Sequence, residues 1–328
     1  MSSGPPVHFD QPSPRGPSVL MLAVAVAILG TSIAGMAVAE ADSINIAAPA
    51  ALPLAGAFAL GAAATATSLT VRLLGWATLL AATCWGAAIA RPMWPAGTIA
   101  ATTPMAKMRI ASFNVYKDNA RLPEAIAWVL DQHADAVVLI EANMHQRTEF
   151  SALLRTYPYA AACAENLHCS TVILTRRPPG HIWHHAQGDP ENRKTLSAVT
   201  VLLDLGCIHL PLTAAHFSRP WPLGSQRGDL RHLGEVMRHM GRDGLLIGDF
   251  NSAPWTFAMR RIAASGHLRL ASGPRPTWPS AAASLPPALP LDQFYAGSAV
   301  TIANVHTGPD LGSDHRPLVA DIAVRCPL

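Results

Sequence analysis

The distribution of charge along this chain constrains its fold more than any other feature. Of its 24 basic and 21 acidic residues, only six lie in residues 1–104. Three apolar runs, 19–39, 47–69 and 73–90, occupy this part. A helix rises about 1.5 Å per residue, so roughly 20 apolar residues cross a hydrocarbon layer of about 30 Å. Because backbone polar groups in lipid must be satisfied internally, we expect three transmembrane helices here.

The charge distribution also indicates the domain organisation. Residues 1–18 predict a disordered tail, and 19–90 form the predicted transmembrane region. Residues 91–107 are rich in proline, threonine and alanine and predict a linker. Charges return in 108–326, which therefore predict one soluble domain of ordinary size.

The flanking charges predict how the chain is oriented in a bacterial inner membrane. Arg15 and Arg72 favour the cytoplasm, and the loop with Glu40 and Asp42 lies on the other side. This places the soluble domain on the extracytoplasmic side. Alternatively, the small residues at 37–39 form a signal-peptidase site, and the first run is removed. Both interpretations leave the soluble domain outside, whereas core helices of a soluble protein would carry more charge.

The five cysteines fit an extracytoplasmic domain without indicating a zinc site. Cys163 and Cys169 bracket a short polar loop, so they form either a disulfide in an oxidising compartment or two free thiols. Cys207 and Cys326 lie in strand-like sequence and are expected to be buried or edge thiols. Cys84 lies in an apolar run. The chain has no CxxC pair, which disfavours structural zinc.

Six short polar strings follow apolar, strand-like runs in the second part of the chain. Each places a carboxylate, amide or imidazole beside such a run, as expected where a polar site assembles at the ends of a sheet. Predicted strands alternate with helices, which favours stacked α/β layers. The strings are SFNV (112–115), LIEAN (139–143), TAAHFSRPW (213–221), LLIGDFNSAPW (245–255), LDQFY (291–295) and GSDHRPLVADI (312–322).

The order of these strings resembles the endonuclease/exonuclease/phosphatase superfamily of deoxyribonuclease I-like, metal-dependent phosphoesterases, and in particular its membrane-anchored bacterial type. The likeness covers about residues 107–325, and GDFNSAP and SDHRPL are its most specific parts. It implies an α/β (α+β) four-layer sandwich: two packed mixed β-sheets flanked by helices, here preceded by transmembrane helices. It also implies a Mg²⁺ or Mn²⁺ cofactor, since such cations prefer carboxylate and other oxygen ligands.

The resemblance assigns a metal-binding role to Asn114, Glu141 and Asp314. Taken alone, Asn114 after a strand is a turn former and Glu141 is a solvent-facing residue. Many relatives have glutamine before the matching glutamate, where this chain has Ile140. A secondary hydrogen bond to the glutamate is therefore expected to be absent.

The resemblance also implies the catalytic residues. Asp249 would align or deprotonate the attacking water, and Asn251 would donate a hydrogen bond to a phosphoryl oxygen. His315 would contact the scissile phosphate as an imidazolium, with Asp292 fixing its tautomer. His216 would bind phosphate or protonate the leaving oxygen, although a strand-end histidine is the alternative.

Three further residues are expected to contact substrate. Arg227 would lie at the start of a helix, where it meets an anionic group. Thr277 and Trp278 match a Thr-Trp-Pro element near the family's site, and the indole would stack on a base, pack on a lipid chain or fill core. The histidines within 181–185 are expected in an exposed loop rather than at a metal.

The sequence thus predicts a membrane-anchored, metal-dependent hydrolase of a phosphodiester. From residue 105 onward the balance of 21 basic to 18 acidic residues lacks a clustered basic stretch, which weakly disfavours nucleic acid. Nucleic acid and a lipid headgroup both remain open as substrates. The alternative is a non-catalytic binding module on a retired phosphoesterase fold. No protein partner is inferable.

Overall fold

The computed structural model divides into two units by internal contacts. The first comprises Met1–Ala34 and Ala47–Ile89, and the second comprises Gly35–Ile46 and Ala90–Leu328. The expected transmembrane region 19–90 is therefore interrupted, because its first loop groups with the second unit. The structure describes residues 16–93, 105–144, 147–165, 169–185, 196–280 and 289–327.

Eight helices and twelve strands occur in the described part of the chain. The helices are α1 (Gly16–Ala34), α2 (Ala39–Ile44), α3 (Ala48–Thr65), α4 (Leu69–Ala90), α5 (Leu122–Asp131), α6 (Ser151–Thr156), α7 (Arg227–Met240) and α8 (Phe257–Ser265). The strands are β1 (Met105–Asn114), β2 (Ala136–Ile140), β3 (Tyr159–Ala162), β4 (Val172–Thr175), β5 (Ile182–His184), β6 (Ser197–Asp204), β7 (His209–His216), β8 (Leu245–Asp249), β9 (Arg269–Leu270), β10 (Asp292–Ala296), β11 (Val300–Thr307) and β12 (Leu318–Arg325).

The first unit consists of α1, α3 and α4. Each belongs to a helical stretch that is long and apolar enough to cross a membrane. Small residues let the helices approach closely, since Ala25 of α1 and Ala59 of α3 are fully buried. The indole of Trp85 donates to the Ser32 hydroxyl at 3.0 Å, which joins α4 to α1.

The third apolar helix begins earlier than the sequence pattern predicted. The run 73–90 was bounded by the charge of Arg72, but α4 begins at Leu69 and includes Arg72 in its first turn. The Arg72 guanidinium donates to the Ala66 carbonyl oxygen at 3.1 Å. A charged side chain at a helix end can reach polar groups there, so it does not mark the helix boundary.

The second unit is built on two six-stranded sheets. The first has the strand order β11-β12-β1-β2-β4-β3, and the second has the order β5-β6-β7-β8-β10-β9. Each sheet is mixed, since β1 and β2 are parallel, β7 and β8 are parallel, and the neighbouring pairs are antiparallel. Strand β1 begins at Met105, so the expected linker boundary at 107–108 falls inside a strand.

Three hydrophobic clusters separate four layers. The central cluster lies between the sheets and includes Ile110, Val138 and Leu212. Phe113 and Val129 belong to a second cluster, between the first sheet and helices α5 and α6. A third cluster packs α7 and α8 on the second sheet. Alternate residues of a strand face opposite sides, so each sheet is covered on both faces, and the predicted four-layer sandwich is confirmed.

Two disulfides tie parts of the second unit together. Cys163 pairs with Cys169, which is one of the two states left open by the sequence. Cys207 and Cys326 were expected to be thiols, but they form a second disulfide across 119 residues. Cys207 lies between β6 and β7, whereas Cys326 follows β12, so this bond joins the two sheets. Strand-like sequence around each cysteine did not reveal that the two ends meet in the fold.

Replacing both Cys207 and Cys326 with serine is expected to lower the melting temperature. A loop of this length is stabilised by roughly 4–5 kcal/mol through the cross-link, which corresponds to a fall on the order of 10 °C for a domain of this size. Differential scanning fluorimetry of the oxidised protein measures the change. The Cys84→Ser variant provides the control, because Cys84 is a free cysteine in α4. Equal melting temperatures for all three proteins would contradict the pairing.

Candidate active site

The carboxyl ends of two parallel strand pairs lie at one edge of the sandwich. In the first sheet Asn114 ends β1 beside Ile140, and Glu141 follows directly. In the second sheet His216 ends β7 opposite Asp249 at the end of β8. Strand β8 contacts both β1 and β2. Polar side chains that are distant in sequence therefore converge where the sheets meet.

The Asn114 amide joins the two sheets at this edge. Its Nδ2 donates to Asp249 Oδ2 at 3.0 Å and lies 3.4 Å from Glu141 Oε1. The Asn114 carbonyl oxygen accepts a hydrogen bond from the Ser313 hydroxyl at 2.6 Å. Asn114 is 1% exposed. Its amide is thus held in one orientation and holds two carboxylates near each other.

Unusual backbone conformations aim the side chains that follow β2 and β8. Glu141 has φ 57° and Asn251 has φ 45°, both in the left-handed region that non-glycine residues seldom adopt. Before Asp249, Gly248 has φ 152°, and a Cβ there would overlap the Ala215 carbonyl oxygen. Such strain tends to concentrate at functional sites, where the surrounding structure maintains it.

His315 is held as an imidazolium by two carboxylates. Its Nδ1 donates to Asp292 Oδ2 at 2.7 Å, and its Nε2 lies 3.6 Å from Asp249 Oδ2. Burial disfavours the charged ring, but the carboxylates of Asp292 and Asp249 outweigh burial and raise the pKa of His315 to about 10. His315 therefore presents a fixed positive charge at neutral pH.

His216 has the opposite electrostatic character. Burial lowers its pKa despite the nearby Asp249 carboxylate, whose Oδ2 lies 3.7 Å from His216 Nε2. The Asn251 amide lies 3.3 Å from the same Nε2 and donates to the Phe217 carbonyl oxygen at 2.9 Å. A neutral ring whose Nε2 accepts from Asn251 satisfies this geometry. The edge thus holds one charged and one neutral imidazole.

Asp249 lies at the centre of the arrangement. Its Oδ1 accepts the Asn251 backbone N–H at 2.8 Å, and its Oδ2 faces Asn114 and both histidines. Burial raises the pKa of Asp249, although the two histidines oppose the shift. A raised pKa makes a carboxylate a stronger base, so Asp249 is suited to take a proton from water.

The oxygen atoms at this edge fit a hard divalent cation. Ligand atoms of Asp249, Asp292 and His315 lie within 4.8 Å of one another. However, an imidazolium has no lone pair to give, so His315 is unsuited as a ligand. Glu141 retains acceptor capacity, because its hydrogen bonds from Asn114 and Lys117 are long, at 3.4 and 3.5 Å. An oxygen set based on this carboxylate suits Mg²⁺ or Mn²⁺.

Not every residue singled out from the sequence lies in this network. Arg227 does begin a helix, but its guanidinium pairs with Glu40 at 3.1 Å rather than facing the site. Asp314 is exposed, and its carbonyl oxygen accepts from the Ser280 N–H. Thr277 is buried, and its hydroxyl accepts the Asp292 N–H at 3.2 Å, so it positions Asp292.

Trp278 and the histidines within 181–185 are also placed by the structure. Trp278 is half-buried and its backbone pairs with Leu289. The histidines lie partly in strand β5 rather than in a loop, which corrects the expectation from the two preceding prolines. The ring of His185 lies 5.3 Å from that of His239 on α7. Within the described residues these rings lie outside the network around Asp249.

Gln226 contributes to the site although its sequence context contained no signal for it. It is 6% exposed, and its Nε2 lies within 3.2 Å of the carbonyl oxygens of Ser218, Phe250 and Asn251. One amide thereby links the segments that leave β7 and β8. Ser313, which was part of a polar string, holds Asn114 from the loop between β11 and β12, two strands of the same sheet as β1.

Comparisons with known proteins agree with this architecture. Residues 111–315 match the Endonuclease/Exonuclease/phosphatase family. An endonuclease/exonuclease/phosphatase from Beutenbergia cavernae is 18% identical and has a TM-score of 0.51. The alignment covers 67% of this chain and 72% of that protein's chain. An endonuclease/exonuclease/phosphatase family protein from Bacteroides thetaiotaomicron is 14% identical and has a TM-score of 0.55. The alignment covers 68% of this chain and 97% of that protein's chain.

A third solved structure is a beta toxin mutant from Staphylococcus aureus with bound magnesium ions. It is 14% identical with TM-score 0.50, and the alignment covers 65% of this chain and 99% of the toxin chain. A search of curated proteins found no match. The family match spans more than half of the residues, and the sandwich and its polar edge agree with it. The chain therefore belongs to the endonuclease/exonuclease/phosphatase family.

Proposed function

We propose that this protein is a membrane-anchored, divalent-metal-dependent phosphodiesterase. Members of its family are phosphoester hydrolases. The observation that carries the proposal is the position of Asp249 Oδ2, which lies 3.0 Å from Asn114 Nδ2 and within 3.7 Å of both histidine Nε2 atoms. A buried carboxylate can act as the base that takes a proton from water, and the charged imidazole beside it can stabilise negative charge on a phosphoryl group.

The chain's own residues can carry out an in-line displacement. Asp249 aligns a water and accepts its proton as the water oxygen bonds to phosphorus. His315 donates to the phosphoryl oxygens, where negative charge accumulates, and the Asn251 amide does so when it exchanges its long hydrogen bond to His216 for the substrate. The bond to the leaving oxygen breaks on the opposite side of phosphorus, and that oxygen takes a proton from solvent, because the neutral His216 ring has no proton on its Nε2 to give. Throughout the reaction Asp292 holds the His315 ring in its orientation, and Thr277 holds Asp292 in place.

The proposed cation would be held by Glu141, with Asn114 and Asp314 as the other expected ligands. When bound, it would neutralise phosphate charge and lower the pKa of water. The oxygen-rich donor set and the magnesium ions in the similar beta toxin structure support this cofactor. The long hydrogen bonds to Glu141 leave its carboxylate available. Asp314 would have to turn from solvent toward the site.

We further infer that the catalytic domain lies on the extracytoplasmic side of the inner membrane. With all three helices spanning, the segment 35–46 and the second unit would lie on the same side of the membrane, and their grouping into one unit supports this arrangement. The acidic residues Glu40 and Asp42 lie on that side, whereas Arg72 lies on the other. Two disulfides in the second unit favour an oxidising compartment. The packing of α1 against α3 supports a retained first helix.

Metal removal provides the test of this function. The full-length protein in detergent is expected to hydrolyse bis(p-nitrophenyl) phosphate, to lose this activity in EDTA and to regain it with Mg²⁺ or Mn²⁺. A Glu141→Gln variant should need a higher metal concentration for half-maximal rate, because one anionic ligand is lost. Absence of turnover with every divalent metal would instead favour the non-catalytic binding module.

A further inference from the structure

The segment between the first two membrane-length helices is built into the second unit. This interspan segment, 35–46, contains α2 and carries Asp42, which is 8% exposed. The two oxygens of Asp42 accept the backbone N–H groups of Phe257 and Ala258, both at 2.8 Å. An anionic side chain at the start of a helix accepts hydrogen bonds from the free backbone N–H groups there and interacts favourably with the helix dipole. Asp42 therefore fixes the interspan segment to α8.

The other contacts of the interspan segment reach the same edge of the second sheet. The Trp255 indole donates to the Asn45 carbonyl oxygen at 2.9 Å. The Gly224 N–H donates to the Ser43 hydroxyl at 3.1 Å, next to the ion pair of Arg227 and Glu40. Gly224 has φ 79°, a left-handed backbone conformation that favours glycine.

These partners follow the strands that carry the catalytic groups. Gly224 and Arg227 come after β7, which ends at His216, and Trp255 and Phe257 come after β8, which ends at Asp249. Because β7 and β8 are parallel, the segments after them leave the sheet at one edge. The interspan segment therefore contacts the segments that follow the strand ends at which His216 and Asp249 lie.

Covalent connection limits how far this edge can be from the membrane. The interspan segment is 12 residues long, and both of its ends continue within two residues into helices of membrane-spanning length. A fully extended chain advances about 3.5 Å per residue, so no residue of the segment can lie more than about 20 Å from a helix end. If these helices cross a bilayer, this connection would hold the active-site edge of the second sheet near the bilayer surface.

Exposed apolar side chains occur at this edge. In the loop 217–226, which is hydrogen-bonded to the interspan segment, Trp221 is 63% exposed and Leu223 is 36% exposed. On the interspan segment itself, Val38 and Ile44 are 45% and 42% exposed. Tryptophan favours the membrane–water interface, because its apolar ring can contact lipid there while its N–H group stays in contact with water.

We propose that Trp221 and Leu223 insert into the surface of the membrane that anchors the protein, and that the substrate is a lipid headgroup phosphodiester in that surface. This inference rests on the proposed hydrolase activity and names its substrate class. The oxygen of water bonds to the phosphorus of the headgroup diester, and the ester P–O bond on the opposite side breaks. The departing alcohol gains a proton. A nucleic acid substrate is the competing outcome.

The test compares lipid in a bilayer with a soluble phosphodiester. Full-length protein is reconstituted in vesicles of phosphatidylethanolamine and phosphatidylglycerol, and phosphate-containing products are measured by phosphorus NMR. The Trp221→Ser/Leu223→Ser double variant is expected to hydrolyse vesicle lipid on the order of tenfold more slowly, because the apolar contact is lost. Hydrolysis of bis(p-nitrophenyl) phosphate should be unchanged, since both side chains are exposed to solvent, whereas Asp249 and the two histidines are buried.

A Tyr159→Ser variant provides the matched control. Tyr159 is 40% exposed but lies at the far end of β3 from the site, so both of its rates should equal those of the wild type. A wild type that cleaves the soluble ester but not lipid, or that cleaves DNA or RNA instead, overturns this inference and leaves the hydrolase standing. A wild type inactive on every phosphodiester overturns the hydrolase itself.

A second measurement does not depend on activity. Brominated lipids quench indoles that enter the interface, so they should quench the wild type more than a Trp221→Phe variant. Equal quenching of the two proteins would show that Trp221 does not contact the bilayer and would overturn the proposed surface.

Discussion

The Asp249→Asn variant is expected to lose phosphodiesterase activity by a factor on the order of 10³–10⁴ in kcat, which combines lost proton transfer with lost alignment of water. Asparagine keeps the size of the side chain and its hydrogen bonds to the backbone of Asn251, but it cannot accept a proton from water. The KM for bis(p-nitrophenyl) phosphate should change much less than kcat, because the phosphate-binding groups are retained. Steady-state kinetics in saturating Mg²⁺ measures both constants.

Stability separates a catalytic role of Asp249 from a structural one. Burial penalises an ionised carboxylate, so in metal-free buffer the Asn variant should melt at the same temperature as the wild type or higher. Asp118→Asn is the matched control, since that side chain is 66% exposed and should affect neither kinetics nor melting. Retention of full activity by the Asp249 variant would remove the mechanism.

The second large effect is expected at the pair formed by His315 and Asp292. The His315→Gln variant removes a charged donor to the phosphoryl oxygens and should lower kcat on the order of 10²–10³-fold. Asp292→Asn removes the carboxylate that keeps the ring charged and oriented, so it should lose activity to a similar extent. Because both changes disable one unit, the double variant should be only slightly worse than either single variant.

A measurement of the pKa of His315 distinguishes the loss of this ion pair from simple misfolding of the variant. NMR of the His315 ring, in a protein labelled at histidine, should show that the Asp292→Asn change lowers the pKa of His315 from about 10 toward its ordinary value. His315 would then lose its charge at a lower pH, and the alkaline limit of activity should move down with it. Additive losses in the double variant would instead mean that the two residues act independently.

The polar strings of the sequence correctly indicated which strand ends meet. Asn114, Glu141, His216 and Asp249 each follow an apolar run, and the structure brings them to one edge because parallel neighbours end on the same side of a sheet. Stacked α/β layers were likewise predictable, since hydrophobic runs of strand length alternate with amphipathic helices, whereas the two packed sheets were implied by the family resemblance.

Long-range contacts were the part that the sequence could not predict. Arg227 was expected to face the substrate, but it pairs with Glu40, 187 positions earlier in the chain. Asp42 was read only as a loop charge, yet it binds the first turn of α8. Neither partner is marked by local pattern, because a salt bridge or a helix cap needs only one suitable group that the fold brings close.

The sequence by itself determined the two properties that depend on local chemistry: three stretches long and apolar enough to cross a membrane, and a set of oxygen and imidazole groups placed after buried strands. Only the tertiary structure decided that His216 stays neutral while His315 carries the charge that the family resemblance implied. His315 and His216 are both buried beside Asp249, but only His315 also binds Asp292. Burial and the number of neighbouring carboxylates set an imidazole's pKa, and both are consequences of folding rather than of sequence spacing.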